Sequence, residues 1–266
     1  MAQSTSEKDI IALGSWLETP PGNYVRTWEQ ARFDELTSDI FGFNAMQIGL
    51  PQIEALRANR MPHQWRSDTY MPQAGAEGGK MPVVVVHDFA DLPFASQSLD
   101  LVVLPHVLEF AAEPHQVLRE VERVLIPEGQ LIVCGFNPAS LWGMRQVVGR
   151  MTGGHFLPRH GEFISLPRLK DWLKLLNMEV SPGHFGCYAP PCRTERWLNR
   201  FSFMEKAGGR WWPYLGAVYM VQAIKRVKGM RLIGPAFSKS PAKVVNGVPA
   251  ANKIHKHSKQ KILIDG

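Results

Sequence analysis

The feature that most constrains this fold is a strand–helix–strand unit between residues 99 and 134. Leu101-Val102-Val103-Leu104 and Leu131-Ile132-Val133-Cys134 are uncharged runs rich in β-branched side chains, typical of strands covered on both faces of a parallel sheet. Between them, residues 115–126 place apolar side chains at helical spacing, and Pro127 and Gly129 follow as breakers. Such a unit is a right-handed crossover, so the sequence predicts an α/β fold.

The flanking segments predict further strands and helices. Val83-Val84-Val85-Val86 predicts another buried strand. Residues 24–40 predict an amphipathic helix after the break Pro20-Pro21-Gly22, with its apolar stripe on Tyr24, Trp28, Phe33, Leu36 and Ile40. The remaining predicted elements are a strand at 43–49, a helix at 52–59 after Pro51, a helix at 167–176 with Ser165 as N-cap and Asn177 as its left-handed end, and strands at 178–180 and 216–224.

Charge divides the chain into two parts. The net charge is +6, but ten Lys or Arg and one acid lie from Lys225 onward, so that segment has a charge of +9 and the preceding 224 residues −3. We expect an N-terminal helical cap at 1–40, the α/β domain at 41–228 and a disordered basic tail at 229–266. Residues 225–266 could bind nucleic acid weakly and without sequence preference, or act only as a solvated tail.

Several classes of protein are disfavoured by what the sequence lacks. No run approaches the roughly 18 apolar residues of a membrane span, and residues 1–20 contain no secretory signal. Three cysteines form no disulfide framework. His184, Cys187 and Cys192 lack a fourth ligand at zinc spacing. We therefore predict a cytoplasmic protein without a membrane partner or a metal site.

The candidate binding residues follow the predicted strands, because an open parallel sheet binds ligands at the carboxyl ends of its strands. They are Gly49, Asp88-Phe89, Pro105-His106 and Asn137-Pro138. Asn137-Pro138 resembles the Asn-Pro-Pro motif of amino-group methylating enzymes, but it follows the wrong strand and lacks the aromatic residue. We therefore assign it no role.

Four segments recur here in a characteristic order. They are Asp-Phe-Ala-Asp-Leu-Pro-Phe at 88–94, Ser-Leu-Asp-Leu-Val-Val-Leu at 98–104, His-Val-Leu-Glu at 106–109 and Leu-Arg-Glu-Val-Glu-Arg-Val-Leu-Ile-Pro-Glu-Gly at 118–129. Together they resemble class I S-adenosylmethionine (SAM)-dependent methyltransferases. The resemblance implies a Rossmann-like, seven-stranded, mostly parallel sheet with helices on both faces and an antiparallel last strand. SAM would lie across the strand ends.

The resemblance also implies which residues contact SAM. Asp88 would accept the adenine amino group and Phe89 would lie along the ring, while Leu104, Pro105 and His106 would pass under the cofactor. Asp88 could instead be only a turn residue at a strand end.

The chain departs from this family at the glycine-rich loop. Gly49 is the only glycine kept, and Leu50-Pro51-Gln52-Ile53 replaces the rest, which puts side chains and a missing donor where bare backbone would approach SAM. Asp68, 19 residues after Gly49, is either the acid that holds the ribose hydroxyls or a solvated loop residue.

Catalysis could involve the residues that follow the run Leu101-Val102-Val103-Leu104. His106 is the candidate general base, or a histidine that packs against the cofactor or the next helix. Glu109 could orient an acceptor, or be an acid favoured at a helix start. The sequence thus predicts a methyltransferase of unknown acceptor, or else a degenerate methyltransferase fold that serves as a binding or regulatory module.

Overall fold

The computed structural model describes residues 12–68, 85–86, 89, 91–153, 156–157 and 161–227. After a helical segment at 12–17, the helices are α1 (Pro20–Ser38), α2 (Val107–Phe110), α3 (Pro114–Val124), α4 (Leu141–Thr152), α5 (Leu166–Leu175), α6 (Glu195–Arg200) and α7 (Phe203–Trp211). The strands are β1 (Asn44–Ile48), β2 (His63–Asp68), β3 (Val85–Val86), β4 (Leu99–Pro105), β5 (Leu125–Phe136), β6 (Met178–Val180), β7 (His184–Gly186) and β8 (Val218–Lys225).

The strands form one mixed sheet in the order β3-β2-β1-β4-β5-β8-β6. β1 to β5 are parallel, and β8 enters between β5 and β6 antiparallel to both. The predicted crossover is confirmed, since α3 connects β4 to β5 and buries its apolar stripe. This is the Rossmann-like sheet that the resemblance implied.

The edge beyond β8 is shared by two short strands rather than filled by one. β6 pairs with the end of β8 and β7 with its beginning, with a one-residue register change between them. The interruption falls at Ser181-Pro182-Gly183, where the proline has no N–H for a ladder. Eight strands therefore occupy seven positions.

The first helix begins earlier and buries a different face than the sequence suggested. Pro20 and Pro21 lie in its first turn, where no N–H is needed, and the Thr19 hydroxyl accepts from Gly22 N–H at 3.4 Å. The predicted break at 20–22 is therefore wrong. The buried side chains recur every fourth residue, and of the predicted stripe within the helix only Phe33 belongs to them: Val25, Glu29, Phe33 and Thr37.

The helix predicted for residues 52–59 is wrong, because these residues form turns. The cause is Gln47, a buried residue in the middle of the sheet on β1. Its side-chain amide bonds four main-chain groups that a helix would use differently: the carbonyl oxygens of Gly49, Leu50 and Ile53 (3.2, 3.1 and 2.7 Å) and the N–H of Ala55 (3.0 Å).

The first two cations of the basic segment are part of the domain. The ammonium of Lys225, on β8, lies 2.9 Å from the carboxylate of Glu122 and 3.0 Å from the carbonyl oxygen of Leu125. Arg226 pairs with Glu179 at 2.6 Å. The expected tail, 229–266, lies outside the described residues. Within the described ranges, no helix combines the length and apolarity that a bilayer crossing requires.

The buried face of α1 can be tested with a pair of phenylalanines. Phe33 is fully buried, whereas Phe41, just after the helix, is 75% exposed. We expect Phe33→Ala to lower the free energy of unfolding by about 3–5 kcal/mol, the usual cost of emptying a core site. Phe41→Ala should change it by about 0.5 kcal/mol or less. Urea unfolding would measure both, and equal losses would contradict this orientation of α1.

Candidate functional site

The predicted site begins where β1 and β2 end side by side. Gly49 directly follows β1, and its N–H donates to the carbonyl oxygen of Ser67 at 2.7 Å. Asp68 is the last residue of β2 and pairs with Val86 of β3. The segment after Gly49 and the acid predicted for ribose therefore leave the sheet at neighbouring positions. The side chain of Asp68, and the whole of Asp88, lie outside the described residues.

Gly49 is required both by its backbone and by its neighbours. Its φ of 73° lies in the left-handed region, which side chains disfavour. A Cβ placed there would be 3.0 Å from Cγ2 of Val107 and 3.5 Å from Cζ of Phe89. The structure thus brings together Gly49, Phe89 and the start of α2, three parts that the sequence placed at strand ends.

The end of β4 contributes the remaining predicted residues. Leu104 and Pro105 are buried in the sheet, opposite Val133 and Cys134 of β5. His106 then turns the chain into α2 with a φ of 54°, a left-handed conformation at a non-glycine residue. The short connection holds its imidazole inside the protein.

His106 is bonded by a carboxylate at each ring nitrogen. Nδ1 lies 2.8 Å from Oε2 of Glu109, three residues on, and Nε2 lies 2.6 Å from Oε1 of Glu29 on α1. All three side chains are almost completely buried. The other oxygen of Glu109 accepts the main-chain N–H of Phe136 at 2.5 Å, and the Phe136 ring packs 4.3 Å from the imidazole. A charged network therefore joins the cap helix to the ends of β4 and β5.

Burial and opposing charge set the protonation of this network. Burial alone would lower the pKa of His106, but its interactions with Glu29, Cys134 and Glu109 outweigh burial and hold that pKa well above its ordinary value. Burial raises the pKa of Glu109, against the lowering effect of His106. Burial also raises the pKa of the Cys134 thiol. The raised pKa favours a protonated imidazole at His106, with Glu29 and Glu109 at its two nitrogens.

Donor atoms of metal-binding type also meet here. In the part of the chain that the structure describes, Glu29, His106 and Cys134 are the one group of three such side chains whose donor atoms all lie within 4.8 Å of one another. The Cys134 thiol donates to Oε1 of Glu29 at 3.2 Å. However, zinc would hold an imidazole nitrogen and a carboxylate oxygen about 3.3 Å apart, and here those atoms are 2.6 Å apart. The spacing fits a shared proton better than an ion.

Sequence reasoning placed His106 and Glu109 at the site but missed Glu29, Cys134 and the role of Gln47. Glu29 lies four residues after Val25 and four before Phe33, so a strict search for helical spacing would have put it on the buried face. Cys134 was considered only for disulfides. Gln47 had no signal beyond being a polar residue in an apolar strand.

Comparisons with known proteins agree with this architecture. The family described as "Methyltransferase domain" matches residues 66–133. The uncharacterized protein YafS of Escherichia coli K12 is 31% identical over 254 residues, covering 93% of this chain and 95% of YafS. The malonyl-[acyl-carrier protein] O-methyltransferase of Laribacter hongkongensis is 27% identical over 137 residues, 50% of this chain and 45% of that enzyme.

Two solved structures share the fold at low sequence identity. One is the methyltransferase in a complex with the Haloferax volcanii Trm112 methyltransferase activator, with a TM-score of 0.58 and 16% identity over 82% of this chain and 97% of that one. The other is a SAM-dependent methyltransferase from Archaeoglobus fulgidus, with a TM-score of 0.55 and 17% identity over 75% of this chain and 94% of that one.

The His106 network makes stability depend on pH. Since folding raises the pKa of His106, its contribution is complete below about pH 6.5 and is lost as pH rises toward the folded-state value, with a slope of up to about 1.4 kcal/mol per pH unit. The raised pKa of Glu109 acts in the same direction from about pH 4.3 upward. We expect Glu29→Gln to flatten this slope above pH 6.5 and to cost about 3 kcal/mol near neutral pH.

The matched control for Glu29→Gln is Glu35→Gln on the same helix. The Glu35 side chain is 65% exposed and pairs with Arg32, so its loss should cost about 0.5 kcal/mol and leave the slope unchanged. Chemical unfolding from pH 6 to 9 measures both quantities. Parallel slopes in the wild type and Glu29→Gln would contradict a histidine cation paired with Glu29.

Proposed function

The chain belongs to the class I SAM-dependent methyltransferase family, whose cofactor is S-adenosylmethionine, and on this premise we propose that it transfers a methyl group from SAM to an acceptor. The observation that supports the proposal most is the strand-end arrangement around Gly49. Gly49 has a left-handed backbone, and a Cβ there would crowd Val107 at the start of α2. Gly49 also lies beside β2, the strand that ends in Asp68. The acceptor is unidentified.

The residues present fit SAM best on its adenosine side. We propose that Asp68 holds the ribose hydroxyls and Asp88 the adenine amino group, with Phe89 against the ring. Phe89 is buried and touches the place where a Gly49 side chain would be. Leu104 and Pro105 would form the rigid floor beneath the cofactor.

Bound SAM would supply an activated methyl group on a sulfonium sulfur. The protein's task is then chiefly to hold an acceptor in line with it. We assign α1 and the segments at 137–153 and 187–216 to the acceptor side. α1 contacts the turn that ends β4, and the two segments follow β5 and β7.

We propose for His106 a positioning role with respect to this reaction. Its two ring nitrogens hold protons toward Glu29 and Glu109, which fixes the turn between β4 and α2 under the cofactor. To act as the predicted general base, the imidazole would first have to give up a proton and release one carboxylate. The network therefore supports positioning more strongly than proton abstraction.

The alternative is a methyltransferase fold that binds ligands without transferring methyl groups. One observation favours it: Gln47 bonds the turn after Gly49 through three carbonyl oxygens, and Leu50 and Ile53 point into the core. The family's glycine-rich loop is thus replaced by a turn with its own side-chain support. A role in weak nucleic-acid binding remains a proposal for the cations beyond Arg226 only, because Lys225 and Arg226 are paired within the domain.

A SAM-binding measurement tests both proposals, the enzyme and the binding module, against a function that does not involve SAM. Saturating SAM should raise the melting temperature, since a native-state ligand at 100 times its Kd adds about 2.7 kcal/mol. Transfer of tritiated methyl groups from SAM to a cell extract then separates an enzyme from a binding module. No thermal shift and no calorimetric heat with SAM would contradict both.

A pair of glycines tests where SAM binds. Gly49 and Gly153 both have φ values above 70°, but a Cβ at Gly153 would meet nothing within 4 Å. Both alanine variants should therefore bear similar backbone strain of about 1–2 kcal/mol. We expect Gly49→Ala to weaken SAM binding at least tenfold by calorimetry and Gly153→Ala to leave it unchanged. Equal affinities would place the cofactor elsewhere.

A further inference from the structure

Exposed apolar side chains are concentrated in two stretches of the described chain. Of fifteen large hydrophobic residues that are exposed, eleven lie between 141 and 151 or between 197 and 215. They are Leu141, Met144, Val147, Val148 and Met151, and Trp197, Phe203, Trp211, Trp212, Tyr214 and Leu215. Single exposed apolar residues are ordinary on a protein surface, but such a concentration marks an interaction site.

Helix α4 has its apolar face turned outward. The five outward side chains are aliphatic or methionine and are between 51% and 83% exposed. The inward face consists of Trp142, two glycines and Gln146. A helix of a soluble domain normally buries its more apolar face, so the outward stripe of α4 is built for an apolar medium other than this core.

The two stretches are neighbours in the fold. The indole N–H of Trp142 donates to the carbonyl oxygen of Ala189 at 2.7 Å, and the Arg145 guanidinium donates to that of Pro191. In the segment that connects β5 to α4, the Asn137 amide donates to the carbonyl oxygen of Tyr214 at 2.8 Å. The chain at 137–145 is thus bonded to the segments that flank α6 and α7. We call the exposed side chains of 141–151 and 193–215 the α4–α7 surface.

The α4–α7 surface is strongly cationic as well as apolar. It includes seven cations: Arg145, Arg150, Arg193, Arg196, Arg200, Lys206 and Arg210. Of the two acids described in these stretches, Glu205 is occupied by the Tyr24 hydroxyl and the Tyr188 N–H, so only Glu195 is exposed. The charge is complementary to an anionic partner.

We propose that the α4–α7 surface docks on a bilayer containing anionic phospholipids. Aliphatic side chains on the outward face of α4 suit acyl chains, whereas nucleobases would stack only on the aromatic ones. Tryptophan, tyrosine and arginine have an apolar body and a polar tip, which suits the boundary between acyl chains and headgroups. The cations meet the phosphates. The expectation of no membrane partner rested on the lack of a spanning run, which does not exclude docking at the surface.

Vesicle co-sedimentation of the full chain tests this proposal. We expect binding to phosphatidylcholine vesicles that contain phosphatidylglycerol, with much weaker binding to phosphatidylcholine alone. Met144→Ser/Val148→Ser and Trp211→Ser/Trp212→Ser should each reduce partitioning at least tenfold, because each removes two side chains that would enter the bilayer. The control is Phe41→Ser/Phe43→Ser, whose residues are 75% and 70% exposed but lie outside this surface, and it should bind as the wild type does.

Three results would overturn the proposal. Absence of sedimentation by the wild type excludes bilayer docking. Sedimentation of both serine variants at the wild-type level would assign the binding to the basic segment beyond residue 226. Light scattering that shows a dimer, broken by Met144→Ser/Val148→Ser, would assign the surface to a second copy.

Thermal melting checks that each variant is folded. The charge-reversing variant Arg196→Glu/Arg200→Glu should weaken binding to the anionic vesicles.

Discussion

The contact on which the rest of the arrangement depends is the one between Glu29 and His106. One carboxylate comes from a helix that precedes the sheet, and the imidazole comes from the left-handed turn that ends β4. Burying a charged group in a core is unfavourable unless the group is paired. Truncating one partner leaves the other buried without compensation, which destabilises the fold. α1 is therefore fixed to the strand ends by position and by charge, and Glu109 extends the connection to β5.

At the same strand ends, the turn after Gly49 is ordered by the protein's own side chains. Here Gln47 supplies the order from within, and Leu50 and Ile53 add buried apolar area. Gly49 remains because its neighbours allow no side chain. Geometry thus requires a glycine at position 49, and Gln47 orders the turn that follows it.

The sequence predicted the parts of the fold that depend on local patterns. The valine- and leucine-rich runs correspond to β3, β4 and β5, and the strand predicted at 43–49 corresponds to β1. Asn177 ended α5 with a φ of 57°, whereas β2 was not predicted. Prediction from the sequence failed where one side chain redirects a segment, as Gln47 does to 52–59, and where a proline pair begins a helix instead of preceding it. The charged cluster was hidden because Glu29 and Cys134 are 105 residues apart. His106 was found from the rule that ligands bind at strand ends and from the resemblance to methyltransferases.

Burial also determines which cysteine thiols of this protein can react with oxidants. A thiol reacts with peroxide or maleimide as its thiolate. Burial raises the pKa values of Cys134 and Cys187 and removes both sulfurs from solvent. Cys192 is the only cysteine that is partly exposed, and it lies in the connection that leads into α6. Thiol chemistry is therefore confined to Cys192, and a single spectroscopic label can be attached there without disturbing the core.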